Sequence, residues 1–438
     1  MSRSLAKRPI PQGRGHALGA LIASEFKATQ TSPHLQKAIL RSLHRPLSVL
    51  LTNLSAHLLP LISSPAFQHA PAPTVQSPNP NPTQVHAIAI ATFVGELLET
   101  FDELELGTDA DPRGDRLKPI REGLVSLINR VIGPLFATIR NEVMPLLEAL
   151  ETPIPLNGTK ATAGGKAPMH HPSIVSLQAI IPIYAKAVAR YTASTAAHAT
   201  LATFLISIVW RGLVALAHRP PLPASPPASP GLIPVAVKKS RGSTTPPVTP
   251  PASRFNIKLP PSRPPSPPPQ VVPATAAADA RALYDLLTLF PLPKGDKEAA
   301  RLAQEVVNDA FEGLKALPPL LDAVHGLSSS KVESEQQLNA VARELEILAT
   351  EVPLLIALPV VLQAPVNGVS SNISVGNMIS LSETQYRKEC LSGFGRAEEC
   401  STTVALRVLD ALGTNNNVHP VVARWLEMEI AEALEQTN

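Results

Sequence analysis

Residues 220–273 hold nineteen prolines in fifty-four positions, in runs such as PPLPASPPASP, TTPPVTPP and KLPPSRPPSPPP. Proline fixes φ and donates no backbone hydrogen bond, so neither a helix nor a sheet ladder propagates through such a stretch. No core can be assembled from it. The expectation is a disordered or polyproline II linker over 220–278, basic in charge, between two parts of the chain able to fold.

The parts on either side read as helix. Leu35, Ile39, Leu43, Leu47, Leu50, Leu54, Leu58 and Leu61 recur every three or four residues, which is one face of a helix. The same spacing carries Ile90, Val94, Leu97, Phe101 and Leu104, and then the longest face, Leu117 through Leu150. Unbroken, that last helix would be about 50 Å long. Gly133-Pro134 and Pro145 lie within it, so the sequence allows one kinked helix or two in succession. A stretch over 174–218 follows, with Ser173 placed to cap it. Beyond the linker, a face from Leu302 to Val324 starts from an Asp296 N-cap. A capping-box spacing, Ser330 to Glu333, opens the next helix, and two more lie near 401–412 and after Pro420. Aromatic residues make up only 4% of the chain, so its cores are aliphatic, which suits helix-on-helix packing.

The expected fold is therefore all-α: a helical bundle or an irregular α-solenoid-like array, in two helical regions. A basic, disordered N-terminus covers 1–30. The N-terminal helical region covers 31–219, with loops at 71–84, 107–115 and 153–172. An acidic helical domain covers 279–438. Prolines recur inside the most apolar segments, as in VPLLIALPVVL at 352–362. Pro145 and Pro182 are 37 apart and Pro319 and Pro353 are 34 apart, within the range of solenoid repeats, but no shared signature surrounds them.

Charge is strongly segregated. Residues 1–95 carry a net +7, 96–151 a net −6, 152–278 a net +12 with no acid, and 279–438 a net −10. A basic segment so dilute and without interleaved aromatics is a poor nucleic-acid footprint, and nucleic acid is not expected as a partner. The acidic cluster Glu96, Glu99, Asp102, Glu103 and Glu105 reads as a solvated helix face.

Catalytic patterns are absent: no G-x-S-x-G, no H-E-x-x-H, no Walker A loop, no G-x-G-x-x-G. GRG at 13–15 and GFG at 393–395 stand alone. His170-His171 on a Gly/Pro loop reads as incidental rather than metal-binding. Cys390 and Cys400 lack a paired histidine and read as ordinary thiols of a reducing compartment. No catalytic, cofactor-binding or metal residue is assigned, and no cofactor is expected. The one motif with a mechanism lies in the linker. Lys258, Pro261 and Pro264 fit [K/R]-x-x-P-x-x-P, the spacing that sets two prolines and a cation along one edge of a polyproline II helix for an SH3-type groove. Ser225, Ser229, Thr245, Thr249 and Ser266 each precede proline, as proline-directed kinases require, and phosphates there would cut the positive charge of the segment.

The functional expectation is a non-enzymatic scaffold or adaptor of an intracellular assembly, cytoplasmic or nuclear, binding other proteins through apolar helical faces and through the linker. The alternatives are a membrane-associated protein, on the strength of the apolar segment 199–217, and an α-solenoid trafficking or folding co-factor. Segment 199–210 has only twelve uncharged residues against the ~20 that span a bilayer. A basic N-terminus also keeps mitochondrial import as a minority expectation.

Overall fold

A computed structural model of the chain describes residues 8–29, 31–108, 117–153, 170–220, 275–295, 298–327, 334–364, 374–413 and 419–436. Among the described residues there are fifteen α-helices, two 3-10 turns and no strand. Before the Pro-rich segment come α1 (Arg14–Ala28), α2 (Pro33–Ile62), α3 (Pro65–Gln68), α4 (Pro82–Glu103), α5 (Lys118–Glu148), α6 (Pro172–Tyr191) and α7 (His198–Ala217). After it come α8 (Ala276–Leu287), α9 (Glu298–Gly326), α10 (Glu335–Ala349), α11 (Leu354–Leu362), α12 (Val375–Met378), α13 (Glu383–Cys390), α14 (Phe394–Gly413) and α15 (Pro420–Gln436). The 3-10 turns are Ala149–Glu151 and Thr195–Ala197.

The prolines fall into two classes. Pro33, Pro65, Pro82, Pro119, Pro172 and Pro420 occupy the first turn of a helix, where their missing N–H would have had no partner. Others lie inside helices that continue through them: Pro46 and Pro60 in α2, Pro134 and Pro145 in α5, Pro182 in α6, Pro319 in α9. All six of these are exposed. Water can then take the carbonyl that loses its intrahelical partner. The next residue turns toward the core: Leu47, Leu135 and Leu320 are buried behind exposed prolines, and Leu61, Leu146 and Ile183 are half-buried. This is the logic of the repeated Pro-Leu pairs, and α5 is one helix, not two. Pro318 and Pro359 depart from the rule and are buried.

Two helices lie deepest. In α7, Leu201, Leu205, Ile208, Val209 and Leu213 are fully buried, and the helix packs against α5, α8, α9 and α11. In α11 every residue from Leu355 to Leu362 is buried. Such a helix, apolar all round, has no solvent face to offer and must be enclosed; α7, α9 and α14 enclose it. Each fully buried Leu or Ile here is worth roughly 1.5–3 kcal/mol relative to exposure.

Composition divides the chain at the Pro-rich segment, but packing crosses the division. Phe136 of α5 meets Phe204 of α7 edge-on at 5.0 Å, and Phe204 in turn meets Phe290, just after α8, at 5.6 Å. Trp210 of α7 donates to the Leu391 carbonyl at 2.8 Å and lies 4.5 Å from the ring of Phe394. Helices from both sides of the segment belong to one continuous hydrophobic core.

Several local expectations are corrected. The stretch 174–218 is two helices. Thr192 turns its hydroxyl back to the Val188 carbonyl, and Ser194 packs where a Cβ on Gly95 would be, 2.2 Å from its Oγ. Polar side chains competing for backbone groups end α6 there. Helix α4 begins inside the predicted 71–84 loop, because Asn81 and Gln84 form a reciprocal capping box. Helix α14 begins at Phe394, earlier than its apolar period suggests, since Ala397 is the only buried residue of its first two turns. His171 rather than Ser173 caps α6. The expected Asp296 cap and the Ser330–Glu333 box lie outside the described residues; Ser334 caps α10. Most of the 107–115 turn also lies outside them.

The largest correction is at the N-terminus. Residues 14–28, placed in an unstructured tail by their charge, form α1, which packs along α4. The helices touch through glycine. A Cβ on Gly15 would sit 2.3 Å from the Phe93 carbonyl oxygen, and one on Gly19 would sit 1.9 Å from Thr100 Oγ1. The GRG tripeptide does cradle an anion, and the anion is the protein's own: Gly13 and Gly15 donate their N–H groups to the two carboxylate oxygens of Glu96, each at 2.8 Å. Gly13, at φ 82°, takes the left-handed conformation this needs. Glu96 is thus buried, not solvated. Glu99 pairs with His16 at 2.8 Å, and Asp102 pairs with Arg121.

Elsewhere α15 packs on α10. Burial, with Glu432 and Glu346 nearby, pushes the Glu429 carboxyl up to about 7. Its pKa in an unfolded chain is about 4.3, so the folded state holds the extra proton between those values. Stability therefore falls as pH rises through that window. Glu429→Gln is expected to flatten the dependence and to melt higher than the parent above pH 7. Melting curves from pH 4 to 8 check this; parallel profiles for the two proteins would refute it.

Candidate functional site

One end of the helical array collects the termini of several segments, and buried polar side chains tie them together. Asp279, in the first turns of α8, is fully buried. Its Oδ2 accepts from Arg219 Nη1 at 2.5 Å, just past the end of α7. Its Oδ1 accepts from the backbone N–H of His171 at 3.0 Å and lies 3.3 Å from His170 Nδ1. The carboxylate thus faces the N-terminal ends of both α6 and α8, where the helix dipole favours negative charge. His171 Nδ1 accepts from Ser173 N–H at 3.1 Å, so the ring is bare at that nitrogen. Burial and then Arg219 hold its pKa below the usual histidine value, which suits this role.

A second cluster adjoins through sequence neighbours. Arg387 of α13 donates two parallel bonds to Glu151, at 2.7 and 2.6 Å, and a third to Glu383 at 2.7 Å. Ser374 Oγ donates to the other Glu383 oxygen at 2.5 Å. Burial alone would raise the Glu383 pKa, but the Ser374 hydroxyl and Arg387 outweigh it, and the carboxyl is held low. His218, beside Arg219, shares a hydrogen bond with the Val214 carbonyl through Nδ1 at 2.9 Å, and its Nε2 lies 3.9 Å from Glu383. Gln363, which caps the end of α11, donates to the Ala217 carbonyl at 3.1 Å.

The geography gives these contacts their meaning. Glu151 precedes segment 154–169, and His170 follows it. Arg219 precedes segment 221–274, and Thr275 follows it, capping α8 through its hydroxyl. Gln363 precedes segment 365–373, and Ser374 follows it. Glu151, His170, Arg219, Asp279, Gln363 and Ser374, far apart in sequence, are each tied here by an ion pair or hydrogen bond.

The sequence reads His170-His171 as incidental and gives no signal for Arg219, Asp279, Glu383 or Arg387. The residues it singled out for docking and phosphorylation, Lys258, Pro261, Pro264, Ser225, Ser229, Thr245, Thr249 and Ser266, lie outside the described residues. Cys390 and Cys400 are free thiols. Among the described residues, no three His, Cys, Asp or Glu side chains are grouped to hold a metal ion. The His170–Asp279 contact has the orienting half of a hydrolytic triad, but no described hydroxyl or thiol is hydrogen-bonded to either histidine ring. What the arrangement does chemically is clamp backbone. The chain matches no family model, no curated protein and no solved structure.

Proposed function

We propose that this chain is a non-enzymatic scaffold of an intracellular assembly: a helical platform that presents its Pro-rich segment as a loop for protein partners. The observation that carries the reading is the Arg219–Asp279 ion pair. It joins the end of α7 to the start of α8 within one core, so the residues flanking the Pro-rich segment are fixed to the platform and a partner bound to that segment is held near it. Lys258, Pro261 and Pro264 are the docking residues for an SH3-type groove, and phosphate on Ser225, Ser229, Thr245, Thr249 or Ser266 tunes the charge of the loop. Other proteins bind through apolar helical faces; exposed Leu302 and Val306, one turn apart on α9, belong to such a face. The placement is cytoplasmic or nuclear.

A membrane role is the second reading. Three helical stretches, Lys118–Glu151, Pro172–Tyr191 and Thr195–Ala217, are long and apolar enough to cross a membrane. The last of these is the segment that suggested the idea, and 67% of its apolar window is buried against other helices, which favours the scaffold.

Two measurements test the proposal. A chain with 221–274 replaced by a short Gly-Ser link is expected to keep the parent's helical circular dichroism and melting temperature, because α7 and α8 pack directly; unfolding would refute the loop. A peptide covering 254–270 is expected to bind at least one member of an SH3-domain panel in the micromolar range, and Lys258→Ala with Pro261→Ala to abolish it. Binding indifferent to those changes would refute the docking site.

A further inference from the structure

Cys390 and Cys400 are the only cysteines in the chain, and the fold brings them together. Cys390 ends α13 and is buried; Cys400, on the second turn of α14, is partly exposed. The Cys400 thiol points at the Glu389 carbonyl, 3.9 Å away. Peptide geometry then puts its sulfur within about 7 Å of the Cys390 Cα. Cys400 is also close enough to Cys390 to help hold its thiol protonated. Between them lies the turn that grips α7, where the Leu391 carbonyl accepts from the Trp210 indole and Phe394 packs on its ring.

We propose that this pair is an oxidative modification site: a peroxide converts Cys390 and Cys400 into an intramolecular disulfide that closes the turn around Trp210. The chemistry balances with hydrogen peroxide as oxidant. The partly exposed Cys400 sulfur attacks one peroxide oxygen, the O–O bond breaks, and a sulfenic acid and one water form. The Cys390 sulfur then displaces the hydroxyl from Cys400, forming the S–S bond and releasing a second water. Two thiol protons and two thiol electrons pass to the two waters. Burial pushes the Cys390 thiol up to about 11, so it is the resolving rather than the attacking sulfur. Arg396, which donates to the same Glu389 carbonyl at 2.7 Å, lies beside both thiols and favours a developing thiolate.

The test uses the purified full chain treated with stoichiometric peroxide, alkylated without reduction and digested with trypsin. Cleavage after Lys388, Arg396 and Arg407 separates the two cysteines. The expected product joins peptide 389–396 to peptide 397–407, and dithiothreitol returns two alkylatable thiols. In Cys390→Ser the partly exposed Cys400 is expected to stop at sulfenic acid, trapped by dimedone; in Cys400→Ser, Cys390 is expected to stay a free thiol. The oxidised parent is expected to melt above the reduced one. Overoxidised Cys400 beside a free Cys390 in the parent, or a disulfide only between two copies, would overturn the proposal.

Discussion

Replacing Asp279 with alanine is expected to destabilise the protein by about 3–5 kcal/mol, the range for breaking one partner out of a buried ion pair. The size follows from what is left behind. Arg219 is 4% exposed and always charged, and its Nη2 already has no partner. Without Asp279 it would be a buried cation with nothing opposite it. The backbone N–H of His171 would lose its acceptor as well, and with it the entry to α6. Asp279→Asn keeps the shape and one acceptor and is expected to lose less. The double replacement Arg219→Met with Asp279→Leu is expected to recover most of the loss, because the charge and its counter-charge leave together. Urea unfolding of the parent, Arg219→Met, Asp279→Leu and the double replacement, read as a double-mutant cycle, measures the coupling. A loss below about 1 kcal/mol for Asp279→Ala would mean that water already reaches the pair, as for exposed salt bridges, and that the pair adds nothing to the hold between the ends of α7 and α8.

What the sequence discloses and what it withholds follow one physical division. Helices that bury aliphatic side chains announce themselves by period. Leu124, Leu127, Val131, Leu135, Ile139 and Val143 of α5 were all on the predicted face and are all buried. Helix α1 gives a weaker signal because half of its buried face, beside Ile22 and Phe26, is Gly15 and Gly19, whose value lies in what they lack. The capping box of α4 was hidden by its setting, an Asn-Pro in a proline-rich stretch that reads as loop. The polar clamp was out of reach for another reason. Arg219 and Asp279 are 60 residues apart, His171 and Asp279 are 108 apart, and Glu151 and Arg387 are 236 apart. Hydrophobic periodicity is local and repeats, so a window detects it; a single charge pair at such a separation leaves no mark in any window. The acidic cluster is opaque for the same reason. Glu96 looked like one carboxylate among five, and only the fold supplies the two glycine N–H groups that bury it.

The seam between α1 and α4 is the second place where one atom should matter most. Gly15→Ala is expected to release α1 from α4 and leave the rest folded. Its Cβ would lie 2.3 Å from the Phe93 carbonyl oxygen and 2.5 Å from Glu96 Cβ. The first of these is backbone within α4 and cannot rotate away. The helices must separate, and separation lengthens the 2.8 Å bonds from Gly13 and Gly15 to Glu96, leaving a carboxylate that was buried for their sake. Overpacking of this kind costs about 1–3 kcal/mol, and α1 has only Gly15, Gly19, Ile22 and Phe26 buried to hold it. Gly19→Ala meets a different obstacle, the Thr100 side chain at 1.9 Å. Thr100→Ala removes that hydroxyl and is expected to rescue Gly19→Ala in part, while leaving Gly15→Ala unrescued. Limited trypsin digestion reports the state of α1 through Arg14 and Lys27: resistant in the parent, cut early in Gly15→Ala, intermediate in the rescued double variant. Equal resistance of the parent and Gly15→Ala would mean that α1 is held by its apolar residues alone and that the glycine seam contributes nothing. Rescue of both glycine variants by Thr100→Ala would instead place the tight contact on the Thr100 side chain throughout, and the backbone approach at Phe93 would be wrong.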